Sequence, residues 1–273
     1  MSEQSSKQRP FLKWAGNKYR ILERILPMLP VGKRLIEPFA GSGAVFLNSR
    51  YPRYVLNDAN RDLIDLYNII KTEGEAFIHY ARQYFVARNN QPERYYALRD
   101  QFNCTRSLHK KAALFIYLNR HGYNGLCRYN ASGKFNVPFG RYRSPAFPED
   151  ALRAFHRRSR LASFRSEHFS HVMRKARPGD VVYCDPPYVP LTATANFTGY
   201  HSSPFGEAEQ RELALCAEQL AGRGITVLIS NHNTGFIQEV YRSADVVTFN
   251  VRRTISCNGA RRGHASEVLA LFS

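Results

Sequence analysis

The sequence is short of acid: Asp and Glu total 22 against 39 Lys and Arg, a formal charge of +17 over 273 residues. An excess of that size favours a polyanionic partner, because each phosphate neutralised by a cationic side chain releases a condensed counterion. DNA, RNA and an anionic membrane surface would all satisfy it, as would a merely basic soluble surface. Cysteine is scarce, with five residues, an odd number, and no CxxC spacing. That argues against a disulfide framework and a zinc site, and leaves free thiols in a reducing compartment, so the expected location is the cytoplasm. No apolar run approaches the roughly 20 residues needed to span a bilayer. The opening MSEQSSKQRP lacks the apolar stretch of a signal peptide. Internal repeats and low-complexity tracts are also missing. What is present, 44% hydrophobic and 13% aromatic residues, can fill the core of one sizeable α/β domain or of a domain carrying an insertion.

The hydrophobic pattern divides the chain in three. From about Phe11 to Asp58 it predicts helix, strand, helix, strand. Ile21, Leu22, Ile25 and Leu26 share a helical face, a strand covers 34–39, and a Gly41-Ser42-Gly43 turn leads through a short helix to a strand over 54–58. From Asn60 to about Asn119 the signal is helical, with a stripe of Leu63, Ile64, Tyr67 and Ile70. Thr72 with Glu75 fits a capping box, Pro92 suits a first helical turn, and Ser107 suits the cap of the apolar helix 112–118. Residues 121–148 turn to Gly, Tyr, Asn and Arg without periodicity, the composition of a long ordered loop or hairpin. The remainder returns to α/β: buried strands at 180–185 and 225–231, a helix near 207–221 between them, and strands at 246–255 and 267–272 as an antiparallel pair. A doubly wound sheet interrupted by a helical insertion near 60–145 accounts for this order.

Three motifs carry chemistry. Asp185-Pro186-Pro187-Tyr188 ends an apolar strand, and ligands of open α/β sheets bind at the carboxyl ends of strands. The tetrapeptide suits an amine of adenine type, whose lone pair is delocalised into the ring. A carboxylate from Asp185 and the carbonyl of Pro186, fixed by the following Pro187, would accept its two hydrogens and stabilise the charge that develops on attack. Tyr188 offers a flat face for an extruded base. Taken alone, the same four residues could be a strand ending in a turn. Glu37-Pro38-Phe39-Ala40-Gly41-Ser42-Gly43 permits a tight turn and close backbone approach to a ligand at Gly41 and Gly43, and Asp58 ends the next strand where a related fold places an acid on ribose hydroxyls. A full GxGxxG is missing, which argues against a dinucleotide. Phe11-Leu12-Lys13-Trp14-Ala15-Gly16-Asn17-Lys18 holds the only tryptophan, which by itself could be a core anchor.

FLKWAGNK at 11–18, EPFAGSG at 37–43, LND at 56–58, NRHGYNGLCRYN at 119–130, FNVPFGRY at 135–142 and CDPPY at 184–188 follow in one order. Together they resemble the Dam-type DNA adenine methyltransferases over nearly the whole chain. The resemblance implies an α/β, Rossmann-like methyltransferase sheet of seven strands ending in an antiparallel hairpin. Residues 1–59 and 146–273 would form the catalytic domain, and 60–145 an inserted helical DNA-recognition domain. It implies S-adenosyl-L-methionine as cofactor, with Trp14, Lys18, Asp58 and Asp185 contacting it beside the turn residues Glu37, Phe39, Gly41 and Gly43. The implied partner is double-stranded DNA, usually at GATC, bound by a monomer without membrane or obligate protein partner. Lys13 and the loop Tyr123, Asn124, Leu126, Arg128 match DNA-contacting positions, Tyr123 as intercalator and Arg128 as guanine reader, with Pro138 and Tyr142 as neighbours. Arg120, Arg128, Arg141 and Arg143 alternate with Tyr123, Tyr129 and Tyr142, a mixture of phosphate neutralisers, wedges and base readers that agrees with this. Two departures stand out. Asn17 replaces a frequent glycine, where it is expected to tolerate positive φ, and His121 replaces a frequent tyrosine.

Three further expectations come from the residues. Arg252, Arg253, Arg261 and Arg262 form a basic turn suited to phosphates, and 192–200 is a polar, turn-prone segment placed to order over a target base. No metal is expected, because His168 and His171 lack further ligands and sulfonium methyl transfer needs none. A ring-carbon cytosine methyltransferase is disfavoured, since none of the five cysteines follows a proline. The remaining rivals are an amino-methyltransferase acting on RNA adenine or another planar amine or amide, and a DNA-binding relative without catalysis.

Overall fold

A computed structural model describes residues 7–188, 205–252 and 264–273. Seven strands form one sheet: β1 Arg34–Glu37, β2 Arg53–Asn57, β3 Ala162–Arg165, β4 Asp180–Cys184, β5 Thr226–His232, β6 Asp245–Arg252 and β7 His264–Phe272, in the order β3-β2-β1-β4-β5-β7-β6. The first five are parallel, while β7 runs antiparallel to both β5 and β6. The expected α/β sheet with a terminal antiparallel pair is therefore present. Strand order reverses between β1 and β4, so their carboxyl ends open a crevice at the switch point, the usual ligand site of such sheets.

Ten helices complete the described residues: α1 Leu22–Ile25, α2 Ala44–Asn48, α3 Arg61–Glu73, α4 Glu75–Arg82, α5 Pro92–Cys104, α6 Leu108–His121, α7 Glu149–Ser159, α8 Phe169–Arg174, α9 Glu207–Ala221 and α10 Gly235–Val240. None is long and apolar enough to cross a membrane. Successive strand side chains point to opposite faces, and β4 shows the consequence. Val181 and Tyr183 enter a core shared with α3, α6 and α7, whereas Val182 and Cys184 enter a second core under α8, α9 and α10. The first core runs without a break from Phe46 and Tyr54 at the sheet, through Phe155 and Tyr67, to Phe102 and Phe115 in the insertion. Within it α6 is apolar on all sides and fully enclosed from Ala112 to Leu118.

Local signals explain most boundaries. Pro92 opens α5, and the Ser107 hydroxyl caps α6 by accepting from the Lys110 N–H at 3.2 Å. The expected Thr72–Glu75 capping box does not form. Thr72 lies inside α3, its hydroxyl donating to the Asn68 and Ile69 carbonyls, and the chain breaks instead at Gly74 with φ +53°. The buried stripe ending at Ile70 carries α3 past the box. Asn17 also departs from expectation: its φ is −51°, and its side chain caps the short 3-10 turn Lys18–Ile21 by accepting from the Tyr19 N–H at 2.7 Å. The positive φ falls on Gly16. Sequence patterning left α7, β3 and α8 unassigned, because these are short or polar elements with few buried positions. The long loop after α6 is bridged at Gly122–Phe139 and Tyr129–Phe135, a hairpin in outline.

Candidate active site and nucleic-acid interface

Asp185 follows β4 directly at the switch point. Its carboxylate receives the Lys18 ammonium at 2.7 Å and the Ser230 hydroxyl at 3.1 Å. Lys18 is buried and also donates to the Gly16 carbonyl at 2.7 Å, so the turn at 16–18 aims it at the acid. Burial opposes both charges. For Lys18 the facing carboxylate, with Tyr183 and Glu267 around it, outweighs burial and raises the ammonium pKa. For Asp185 burial dominates and raises the carboxyl pKa, against the opposing pull of Lys18 and Ser230. Tyr183, one turn of the pleat earlier, has its hydroxyl 3.0 Å from that of Ser230. Tyr188 is partly exposed, with the Lys18 ammonium 4.8 Å from its ring centre and the His232 ring 4.1 Å away at a steep angle.

Glu37 ends β1 beside this pair and is almost fully buried. Burial, reinforced by the charge of Asp185, pushes its pKa up to about 8. Among the described residues its Oε1 has no hydrogen-bond partner. The glycine turn follows. Gly41 and Gly43 both have positive φ, at +47° and +71°, the left-handed region that glycine adopts without a Cβ penalty. Gly41 donates its N–H to Asp58 at 2.9 Å, and Asp58 also accepts from the Asn60 N–H at 2.9 Å. The acid at the end of β2 thus ties that strand to the turn. The Trp14 indole lies over Gly41, where a Cβ would come within 2.9 Å of Nε1. Phe39 turns to the other face of the sheet, between Phe169 and Phe205 at 5.4 Å each.

A second cluster lies on the insertion. The Asn119 carboxamide, buried in α6, accepts from the Lys13 N–H at 2.9 Å and donates to the carbonyls of Lys13 at 2.7 Å and Gly125 at 3.1 Å. Lys13 lays its ammonium 4.0 Å over the Tyr142 ring, and burial with nearby Arg120 lowers its pKa. Arg120 donates to the Ala146 carbonyl at 3.3 Å. Tyr123, 51% exposed, opens a 3-10 turn at the base of the hairpin, its N–H donating to the Pro138 carbonyl at 2.8 Å. Asn124 and Arg141 both adopt left-handed φ, at 53° and 52°, and Leu126 packs partly into the core. Arg128 is forked onto Asn136 through Nε at 2.8 Å and Nη2 at 3.3 Å. His121, buried and stacked on Tyr117 at 4.1 Å, accepts no ordinary protonation: burial pushes its pKa down to about 4.

The fold therefore gathers Trp14, Lys18, Glu37, Gly41, Gly43, Asp58, Asp185 and Tyr188 around the ends of β1, β2 and β4, with Phe39 on the opposite face. Pro186 and Pro187 continue from Asp185. Arg120, Tyr123, Asn124, Leu126, Arg128, Pro138, Arg141 and Tyr142 occupy the insertion and its loop, and Lys13, from the N-terminal segment, is bonded to the insertion through Asn119. Ser230, Asn119 and Asn136 were missed by sequence reasoning; each is a single polar residue whose partner is brought to it by the fold. The segment 192–200 and Arg253, Arg261 and Arg262 lie outside the described residues, as does the side chain of Arg252.

Residues 14–255 match the family model for D12 class N6 adenine-specific DNA methyltransferase. The chain is 51% identical over 267 residues to a protein of Serratia marcescens named DNA adenine methylase, covering 97% of this chain and 99% of that relative. Proteins of the same name from Salmonella typhi and Escherichia coli K12 are each 50% identical over 266 residues, covering 97% of this chain and 96% of theirs. With a carboxylate and two prolines at the switch point, a glycine turn beside them and relatives matched end to end, the chain belongs to the D12 class of N6 adenine-specific DNA methyltransferases.

Proposed function

We propose that this enzyme takes its methyl group from S-adenosylmethionine and places it on an adenine extruded from double-stranded DNA, at GATC. The observation that carries the reading is the Asp185 carboxylate at the sheet's switch point, held by Lys18 and Ser230. The cofactor fits the residues present. A buried carboxyl, Glu37, whose Oε1 has no hydrogen-bond partner among the described residues, suits a cationic ligand, and the absence of a Cβ at Gly41 lets the Trp14 indole pack directly on the glycine turn beside it. In this reading Trp14, Lys18, Glu37, the Gly41–Gly43 turn, Asp58 and Asp185 hold the cofactor, which supplies an electrophilic methyl group on a sulfonium; Phe39, turned to the other face of the sheet, does not reach it.

The chain's own residues prepare the nucleophile. Asp185 accepts one hydrogen of the adenine amine and the Pro186 carbonyl the other, which turns the nitrogen lone pair out of the ring plane. As positive charge grows on that nitrogen, both acceptors stabilise it. Lys18 favours the ionised form of Asp185 against the burial that raises its pKa, and that carboxylate, bonded to the amine, is the group placed to receive the departing proton. Tyr188 provides a face for the base. Lys13 of the N-terminal segment, with Arg120, Asn124 and Arg141 of the insertion, contacts the DNA beside Leu126, Pro138 and Tyr142. Tyr123 offsets unstacking as a wedge, and Arg128 reads guanine through the edge of its guanidinium turned away from Asn136. Residues 60–145 serve as the recognition unit, and the protein acts as a cytoplasmic monomer.

The test is expression in a methylation-deficient bacterial host with genome-wide mapping of modified adenines by long-read sequencing. Modification confined to GATC is expected; another motif would overturn the recognition assignment, and none from folded, cofactor-binding protein would point to RNA or protein. Asp185→Ala should lose methylation by roughly 10²-fold or more while DNA binding in a gel shift is kept. Undiminished methylation in that variant would remove Asp185 from the mechanism.

A further inference from the structure

Proline has no N–H, so the protein can anchor residues 186 and 187 by hydrogen bonds only through their carbonyls. The proposed mechanism commits the carbonyl of Pro186 to the substrate amine. That of Pro187 accepts from the side-chain amide of Gln210 at 2.9 Å. Gln210 belongs to the first turn of α9 and is fully buried. Its Oε1 accepts from Asn231 Nδ2 at 3.0 Å and from the Tyr241 hydroxyl at 3.1 Å. Asn231 Nδ2 also donates to the Tyr241 hydroxyl at 3.0 Å, and Asn231 Oδ1 accepts from the His232 N–H at 2.8 Å. With two donors facing Oε1, the amide has one orientation, with its NH2 toward Pro187. All three side chains are fully buried, where a half-made network would cost more than none.

The neighbouring strand makes the arrangement two-sided. Ser230 and Asn231 are consecutive in β5, so they point to opposite faces of the sheet. Ser230 holds Asp185 from one face, and Asn231 holds Gln210, and through it Pro187, from the other. The two groups the adenine amine is to meet lie between these two grips.

We infer that Gln210, oriented by Asn231 and Tyr241, is a positioning residue that sets the direction of the Pro186 carbonyl and thereby the rate of methyl transfer rather than the affinity for either ligand. The inference rests on the proposed use of Asp185 and Pro186. It is tested in the full-length enzyme by single-turnover methyl transfer at saturating S-adenosylmethionine and GATC duplex, with the Kd of each and the melting temperature measured alongside. Gln210→Met keeps the volume and removes the donor; its rate should fall roughly ten- to hundredfold, the range for a displaced reacting group, with both Kd values within about twofold of the parent. Tyr241→Phe removes one of the two orienting donors and leaves Gln210 in place, so a fall of a few-fold is expected even if Gln210→Met does not fold. An unchanged rate in both variants overturns the inference. So does a rate loss matched by equal losses in affinity and melting temperature, which would mark the network as structural. A parent enzyme that methylates no adenine sinks the underlying reading as well; a parent that methylates beside an equally fast Gln210→Met sinks this inference alone.

Discussion

Glu37 is the residue with most to gain from a ligand. An unsatisfied buried acceptor costs about 1–3 kcal/mol, and this one is carried at the crevice between β1 and β4. Its pKa rises from 4.5 to about 8 in the folded chain, so it is protonated at neutral pH in the absence of a cation. The sign follows from a raised acid: the stability it lends is complete below about pH 4.5 and is lost as pH climbs through about 8. A sulfonium or ammonium bound against it reverses the preference and expels the proton. Cofactor affinity should therefore strengthen with pH up to about 8 and then level off, with proton release visible by calorimetry in buffers of different ionisation enthalpy. Glu37→Gln should bind more weakly with no such rise. A parent profile that is flat between pH 6 and 8 would remove Glu37 from the cofactor site. At this scale the sequence was informative where a motif is contiguous, as at 37–43 and 185–188. It was silent on Ser230 and Gln210, single polar residues that the fold brings to the 185–188 turn across 45 and 23 residues of chain.

Among the elements, the loop after α6 is organised from outside itself. Tyr129 donates to Asp62 in α3 at 2.7 Å, Asn103 in α5 pairs with both backbone groups of Phe135, and Tyr95 donates to the Val137 carbonyl at 3.0 Å. Its composition announced an ordered loop, but not these partners, because side-chain to backbone bonds of this kind leave no periodicity. The same limit explains Thr72, where a good local capping signal yielded to the buried face of α3. Gly125 is the tightest point of the loop: φ is +62°, and a Cβ there would collide with the Lys13 side chain. Gly125→Ala must push Lys13 off Tyr142, so DNA binding is expected to weaken about tenfold, with cofactor affinity kept. Equal DNA affinity in a filter-binding assay would show that the Lys13–Tyr142 stack is not part of the interface.

Across the whole molecule, charge and core divide the work. The +17 excess acts at the surface, so DNA affinity should fall by roughly 10³-fold between 50 and 200 mM salt if about six phosphates are neutralised. Cofactor affinity should move much less, since Lys18 is buried and its partner Asp185 only partly exposed, so the pair is less screened than the surface charges. A flat salt dependence for DNA would refute the electrostatic part of the reading. The overall topology was legible because β1, β4 and β5 are apolar and regular, whereas α7, β3 and α8 were hidden by polar, short segments. The Asn119 carboxamide fastens Lys13 to the loop at Gly125, and the next residue along, Trp14, overlies the glycine turn. Under the proposed roles of Trp14 at the cofactor and Lys13 at the duplex, this staple makes the two ligands effectors of one another. Whatever factor by which bound DNA tightens the cofactor, the cofactor must tighten DNA by the same factor. Replacing Asn119 by Leu should bring that shared factor toward one in both titrations together.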